Sequence, residues 1–249
     1  MVPARLEGKT ALVIGGSRGI GAAIARRLAA EGADVAVTYR SDADAAEKVT
    51  ADIEATGQRA TAIAADSADP DALRTAIDDA ARSTGRLDIL VNSAGTLRFK
   101  PLEEFTLEDF DDMVHVDLRG AFVAAQRAAE HMTGGRGRIV IIGSNLADYA
   151  ALPTTSLYSM VKSGLVGLAK GMARDLAPRG ITVNVVQPGP IDTDANPQDG
   201  PYSDQLKAFM ATPTFGTGDD VAGLVAYLAS DESQFATGAA FTIDNGYTA

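Results

Sequence analysis

A chain of 249 residues with a formal net charge of −11 and no cysteine is long enough for one large α/β domain, argues against life on nucleic acid or an anionic membrane, and has no disulfide or thiolate chemistry. Its two histidines, His115 and His131, are too few and too far apart to suggest a metal centre. No stretch approaches the roughly 18 apolar residues of a membrane span. The opening MVPARLEGKTALVIGG lacks the apolar core of a secretory signal, so the expectation is a soluble, cytoplasmic protein with no nucleic-acid, membrane or metal partner.

Short apolar or β-branched runs alternate with longer Ala-rich segments along the chain. Strands are expected at 10–14, 34–39, 60–65, 87–91, 138–142, 182–186 and 240–243. Helices are expected at 20–30, 43–56, 72–83, 107–132, 156–176 and 219–229. This is a βαβ series, and strands that read as unbroken apolar runs are buried on both faces. The expected fold is therefore α/β, a doubly wound parallel sheet with helices on both faces and a ligand crevice at the carboxyl ends of the strands. No linker or repeat interrupts it, so residues 1–249 read as a single domain.

Between the first strand and the first helix stand Gly15, Gly16, Ser17, Arg18, Gly19, Ile20 and Gly21. Glycines in a strand–turn–helix position let the backbone approach a pyrophosphate, and the helix N-terminus adds unpaired N–H groups and a positive dipole end. A carboxylate at the end of the second strand would repel a ribose 2′-phosphate. This chain has Tyr39, Arg40 and Ser41 there, and Arg40 with Arg18 could clamp that phosphate. The alternative is that both arginines are ordinary surface charge. The pattern favours NADP(H) and leaves NAD(H) open. Asp66 and Ser67 end the third strand, where a carboxylate could meet an adenine edge. Asn92, Ala94 and Gly95 follow the fourth, where small residues leave room for a cofactor; both segments also read as plain strand-end turns.

Tyr158 and Lys162 are four residues apart in the 156–176 helix, so both side chains emerge on one face. An ammonium within about 4–6 Å stabilises the charged form of a phenol and fits it for acid–base work. Upstream, Ser144 offers a neutral hydroxyl that could hold a substrate oxygen beside that phenol. Taken alone, the pair could equally sit on a solvated face; its place in the series gives it weight.

The chain resembles the short-chain dehydrogenase/reductase family over essentially its whole length. The resemblance rests on the glycine turn, Asn92 to Gly95, Ser144, Tyr158 with Lys162, and the segment Gln187-Pro188-Gly189-Pro190-Ile191-Asp192-Thr193. It implies that Tyr158 exchanges a proton with the substrate oxygen, that Ser144 holds that oxygen, and that Lys162 binds the nicotinamide ribose and activates Tyr158. Pro188, Gly189, Ile191 and Thr193 would orient the nicotinamide. A homotetramer is implied too, with the helices near 107–132 and 158–177 in one interface and the last strand in another.

Three departures from the family pattern stand out. Ile14 occupies a position where threonine is usual, and the interval from Ser144 to Tyr158 is one residue longer than the commonest spacing. Asp117 stands where the family commonly has a catalytic asparagine. A carboxylate there would offset part of the positive field of Lys162 and slow turnover or raise the apparent pKa of the proton-transfer step; alternatively it is a solvated, harmless isostere. Residues 190–216 read as a polar substrate lid, with Tyr202, Phe209 and Met210 available to cover an apolar substrate or merely to pack the lid. Its D-x-D-x-N start mimics a calcium loop but lacks the required glycine and glutamate.

The expected function is NADPH-dependent reduction of a carbonyl, or the reverse alcohol oxidation, on a small-molecule substrate; an acyl-carrier-linked 3-oxoacyl compound is one option, which the acidic surface disfavours. The alternative is a nucleotide-binding regulator, because the segments 186–196 and 66–69 are similar to a bacterial subgroup of cyclic-di-GMP-binding mediators of biofilm dispersal. Arg18, Arg40 and Arg98 would then meet the two phosphates.

Overall fold

The structure, a computed structural model, describes residues 4–249. Its centre is one parallel sheet of seven strands in the order β3-β2-β1-β4-β5-β6-β7. The strands are β1 (Thr10–Ile14), β2 (Asp34–Tyr39), β3 (Ala60–Ala64), β4 (Ile89–Asn92), β5 (Arg138–Ile142), β6 (Thr182–Pro188) and β7 (Ala240–Ile243). After β3 the chain crosses back to lay β4 on the other side of β1, so the strand order reverses at the β1–β4 pair. A crevice opens at their carboxyl ends.

The helices are α1 (Gly19–Ala30), α2 (Ala43–Glu54), α3 (Pro70–Thr84), α4 (Leu107–Met113), α5 (Gly120–His131), α6 (Ser156–Leu176), α7 (Ser203–Lys207) and α8 (Gly218–Ala229). Alternate residues of each strand feed opposite cores. Ala11 and Val13 join Ile24, Leu28, Val49 and Val225 under α1, α2 and α8. Leu12 and Ile14 join Leu73, Ile77, Leu165 and Ile139 under α3, α5 and α6. Each fully buried Leu or Ile contributes about 1.5–3 kcal/mol, and β1, β4, β5 and β6 are buried at every position. The expectation of two-sided burial fails at β3 and β7, whose residues are intermediate or exposed because each strand has a neighbour on one side only.

The helix expected over 107–132 is interrupted. Between α4 and α5 the chain makes a π-helical stretch, Val114–Arg119. It is held by close approach on two sides: a Cβ on Gly120 would meet the Ser67 carbonyl oxygen at 2.8 Å, and one on Gly164 of α6 would meet Leu118 at the same distance. The widened turn carries Asp117 into the interior, where it is 0% exposed, and such bulges recur at functional sites.

Residues 190–216 contain α7, which the polar sequence did not announce, and their far end is tied to the C-terminus. Asn245, in a left-handed conformation at φ 54°, donates its amide to the carbonyls of Thr212 and Thr214 at 2.8 and 3.2 Å. Asp244 closes the terminal turn by accepting from the Gly246 and Thr248 amides at 3.1 and 3.0 Å. Among the described residues no helix is long and apolar enough to cross a membrane.

Candidate active site

At the carboxyl ends of β1, β4, β5 and β6 lies a cleft of about 670 Å³. Its floor at one end is the glycine turn, where a Cβ on Gly21 would fall 2.2 Å from the Gly15 carbonyl oxygen; only glycine permits this close turn. Thr38 of β2 fastens the turn, accepting from the Gly15 amide on its hydroxyl at 3.1 Å and from the Gly16 amide on its carbonyl at 3.0 Å. The side-chain hydroxyl that Ile14 lacks is thus available from the neighbouring strand.

Four helix starts in this protein are closed by side chains, while those of α1, α5, α6 and α7 are not. Asp42 caps α2, Asp69 caps α3, and Thr106 and Thr217 form capping boxes on α4 and α8. By contrast, α1 begins at Arg18 with no side-chain cap, and Gly19, Ile20 and Gly21 line the cleft. Its orphan N–H groups and dipole end therefore face the cavity, the arrangement an anionic phosphate requires. A dinucleotide fits this cradle, since glycine keeps side chains out of it. Thr193 approaches from above, 3.5 Å from where a Cβ on Gly19 would sit. Pro188, Gly189 and Ile191 line the adjoining wall, and a Cβ on Gly189 would strike Asp244 at 2.6 Å.

The rim beyond the turn is different in kind. Arg18, Arg40, Ser41 and Asp66 are exposed, while Tyr39 and Ser67 are half-buried. Most arginines of this acidic chain pair with carboxylates, as Arg26 does with Asp52 at 2.8 Å and Arg59 with Asp34 at 2.6 Å. Among the described residues neither Arg18 nor Arg40 has a carboxylate partner. Of these rim residues only Arg18 lines the cleft; Tyr39 ends β2, Arg40 and Ser41 follow it, and Asp66 and Ser67 come just after β3. Asp66 spends one oxygen on the Ala68 amide at 2.9 Å, as a strand-end turn does. Ser17 and Ala94 lie beside the cavity without lining it, and buried Asn92 sits between Ile14 of β1 and Ile141 of β5.

The other end carries the titratable cluster. Tyr158 and Lys162 are buried on α6 and line the cleft with Ser144, so the solvated-face alternative does not describe them. Lys162 Nζ lies 5.4 Å from the Tyr158 ring centroid and 2.7 Å from Asp117 Oδ1. That second approach is a charge contact without a directed hydrogen bond. Asp117 Oδ2 accepts from the amide and hydroxyl of Thr96 at 3.0 and 2.7 Å. Burial pushes the Lys162 ammonium down, but Asp117 and then Tyr158 outweigh it and hold its pKa above the ordinary lysine value. Lys162 thus stays charged across working pH. A Cβ on Gly95 would sit 2.9 Å from Lys162 Nζ and 3.0 Å from Asp117 Oδ1, so glycine is required to leave room for this pair. Asp117 is neither solvated nor remote, which removes the harmless-isostere alternative.

Ser144 is fixed from both directions. Its Oγ accepts from the Leu146 amide at 3.2 Å, and its carbonyl accepts from Gln187 Nε2 at 3.2 Å. Phe99 stands edge-on to Tyr158 with ring centroids 5.4 Å apart. The loop bearing it is pinned by Asp109, which pairs with Arg98 and with Lys100 at 2.7 Å. Arg98 is therefore neutralised away from the cleft and is not a free phosphate ligand. Tyr202 lines the cleft; Phe209 and Met210 turn instead to Tyr247 and Phe215, because the foot of the segment is drawn to the C-terminal turn. The sequence suggested no role for the side chains of Thr96, Phe99, Gln187 or Tyr247. Gln187, an amide inside an apolar strand, carried the only local signal.

Comparison with known proteins gives a consistent picture. A family model described as Enoyl-(Acyl carrier protein) reductase matches residues 14–248. The cyclic-di-GMP-binding biofilm dispersal mediator protein of Escherichia coli is 47% identical over 242 residues, covering 97% of this chain and 98% of that protein. The 3-oxoacyl-[acyl-carrier-protein] reductase of Staphylococcus aureus is 39% identical over 242 residues, covering 96% and 97%. A crystal structure of a short chain dehydrogenase from Burkholderia cenocepacia in complex with NADP matches with a TM-score of 0.97 at 53% identity, covering 98% of this chain and 100% of that one. By sequence and fold, the chain belongs to the short-chain dehydrogenase/reductase family of oxidoreductases.

Proposed function

We propose that the protein is an NADP(H)-dependent carbonyl reductase, or the alcohol dehydrogenase of the reverse direction, with Tyr158 as the acid–base residue. The observation that carries this reading is the buried Tyr158–Lys162 pair, backed by Asp117, which with Ser144 lines the same cleft as the uncapped start of α1. Gly15, Ser17, Arg18, Gly19, Ile20 and Gly21 would hold the pyrophosphate. Tyr39, Arg40 and Ser41 would meet the ribose phosphate, Asp66 and Ser67 the adenine edge, and Asn92, Ala94 and Gly95 the cofactor's middle. Lys162, Pro188, Gly189, Ile191 and Thr193 would hold the nicotinamide half. When bound, the nicotinamide supplies or accepts the hydride.

The chain's own contribution is position and charge. With its Oγ accepting from the Leu146 amide, Ser144 keeps its hydroxyl proton for the substrate oxygen. Tyr158 gives that oxygen a proton during reduction and removes it during oxidation. The Lys162 ammonium stabilises the negative charge left on the phenol oxygen. Asp117 holds the ammonium in place and subtracts part of its field, so a reductase of modest turnover is expected. The segment 190–216 acts as a lid over the substrate, through Tyr202 and α7. Exposed Leu107, Phe110, Phe122 and Met160 on α4, α5 and α6 support a homotetramer, and a cytoplasmic setting agrees with the absence of cysteine.

A second reading, a nucleotide-binding regulator, is favoured by the name of the Escherichia coli relative and by the unpaired Arg18 and Arg40. Neutralisation of Arg98 by Asp109 weakens it. NADPH oxidation measured against ketones, diketones, aldehydes and 3-oxoacyl thioesters separates the two. Turnover of any member supports the reductase; no turnover with saturable cyclic-di-GMP binding supports the regulator.

A further inference from the structure

Among the polar residues lining the cleft that the mechanism above does not use, one has a buried polar atom left without a partner among the described residues. That residue is Tyr247, which is 3% exposed, and the atom is its hydroxyl oxygen. Buried hydroxyls are rarely left unpaired, because desolvation without a compensating bond is costly. Nor is this side chain loose. Its ring packs at a tilt on Phe209, 5.2 Å between centroids, and is buried with Met210 and Phe215. Asp244, whose carbonyl accepts from the Tyr247 amide at 3.2 Å, locks the terminal turn and lies 3.4 Å from the amide of Asn145, the residue after Ser144. A rigid phenol is thus held at the wall of the substrate end, near the strand end that bears the catalytic serine.

We infer that Tyr247 is a specificity-determining residue whose hydroxyl donates a hydrogen bond to a second, acceptor oxygen of the substrate, so that the preferred substrate is a ketone also bearing a carbonyl or ester oxygen. Burial, and then the neighbouring Tyr149 and Asp244, push the Tyr247 phenol up, which keeps it a neutral donor at working pH. The flanking wall, with Leu97, Phe99, Leu152 and Leu206, accepts the apolar remainder. A site that offers a buried hydrogen bond discriminates by leaving its own group unpaired when the wrong substrate binds.

This inference rests on the reductase reading, and the test separates the two. The kcat/KM ratio between a 3-oxo ester and the plain ketone of equal length is measured for the full-length wild type and for Tyr247→Phe, which keeps the ring packing. The ratio is expected to fall about tenfold in the variant, through loss on the oxo ester, while the plain ketone and the melting temperature stay close to wild type. An unchanged ratio, or a parallel loss on both substrates, overturns the role of Tyr247 and leaves the reductase standing. Absence of turnover of either substrate, and of every other carbonyl offered, by the wild type overturns the reductase reading and this inference with it.

Discussion

The two ends of the cleft are built on opposite plans. At the catalytic end Lys162, Asp117 and Ser144 are buried and already engaged: Lys162 against Asp117, Asp117 on Thr96, Ser144 on Leu146 and Gln187. At the outer rim Arg18 and Arg40 stand in solvent without carboxylate partners, although the chain carries an excess of acid and uses it to pair most other arginines. Chemistry needs groups held in place before the substrate arrives, and the interior supplies that. Binding a phosphate needs charge that is not already spent, and the rim supplies that.

The comparison breaks most visibly at Lys162. Lys162→Met leaves the Asp117 carboxylate buried without its counter-charge, which costs about 3–5 kcal/mol and should lower the melting temperature by roughly 6–20 °C. The double variant with Asp117→Asn should recover most of that loss. A single variant as stable as wild type would show that the pair is not the buried unit described here.

Arg18→Ala with Arg40→Ala should do the reverse, leaving stability within about 0.5 kcal/mol while weakening NADPH binding about tenfold or more and NADH binding little. Equal weakening of both cofactors in a titration would assign the rim no 2′-phosphate role. The smallest effect concerns acid. Arg127 first, and His131 after it, hold the Asp78 carboxyl at about 2, below its ordinary 3.8. A depressed carboxyl stabilises the fold fully above its unfolded value and loses that contribution as pH falls through the folded one. Asp78→Asn should therefore flatten the decline of melting temperature between about pH 4 and pH 2, and an unchanged profile would remove Asp78 from the acid transition.

These contrasts were unequally visible in the sequence. The strands at 10–14, 34–39, 138–142 and 240–243 and the helix at 156–176 match the structure residue for residue, because apolar runs and helical spacing record which faces are buried. Tyr158 and Lys162 were legible because four residues on a helix place two side chains together whatever the rest of the fold does. The π-helical stretch was not, since the apolar pattern of 107–132 runs through it and the cause lies in close contacts at Gly120 and Gly164 with residues distant in sequence. Burial of Asp117 followed from that stretch and was hidden with it. Tyr247 was hidden for a similar reason. It follows the last strand in a short turn with no periodic pattern, and its burial comes from Phe209, Met210 and Phe215, which the fold brings to it from a distant segment.

The central claim is that Tyr158 exchanges the proton in a site otherwise complete without it. Tyr158→Phe, assayed on any carbonyl the wild type reduces, with NADPH binding measured in parallel, tests it most directly. Turnover should fall about 10²–10⁴-fold with cofactor affinity retained. A variant that binds NADPH and turns over at the wild-type rate would contradict the account.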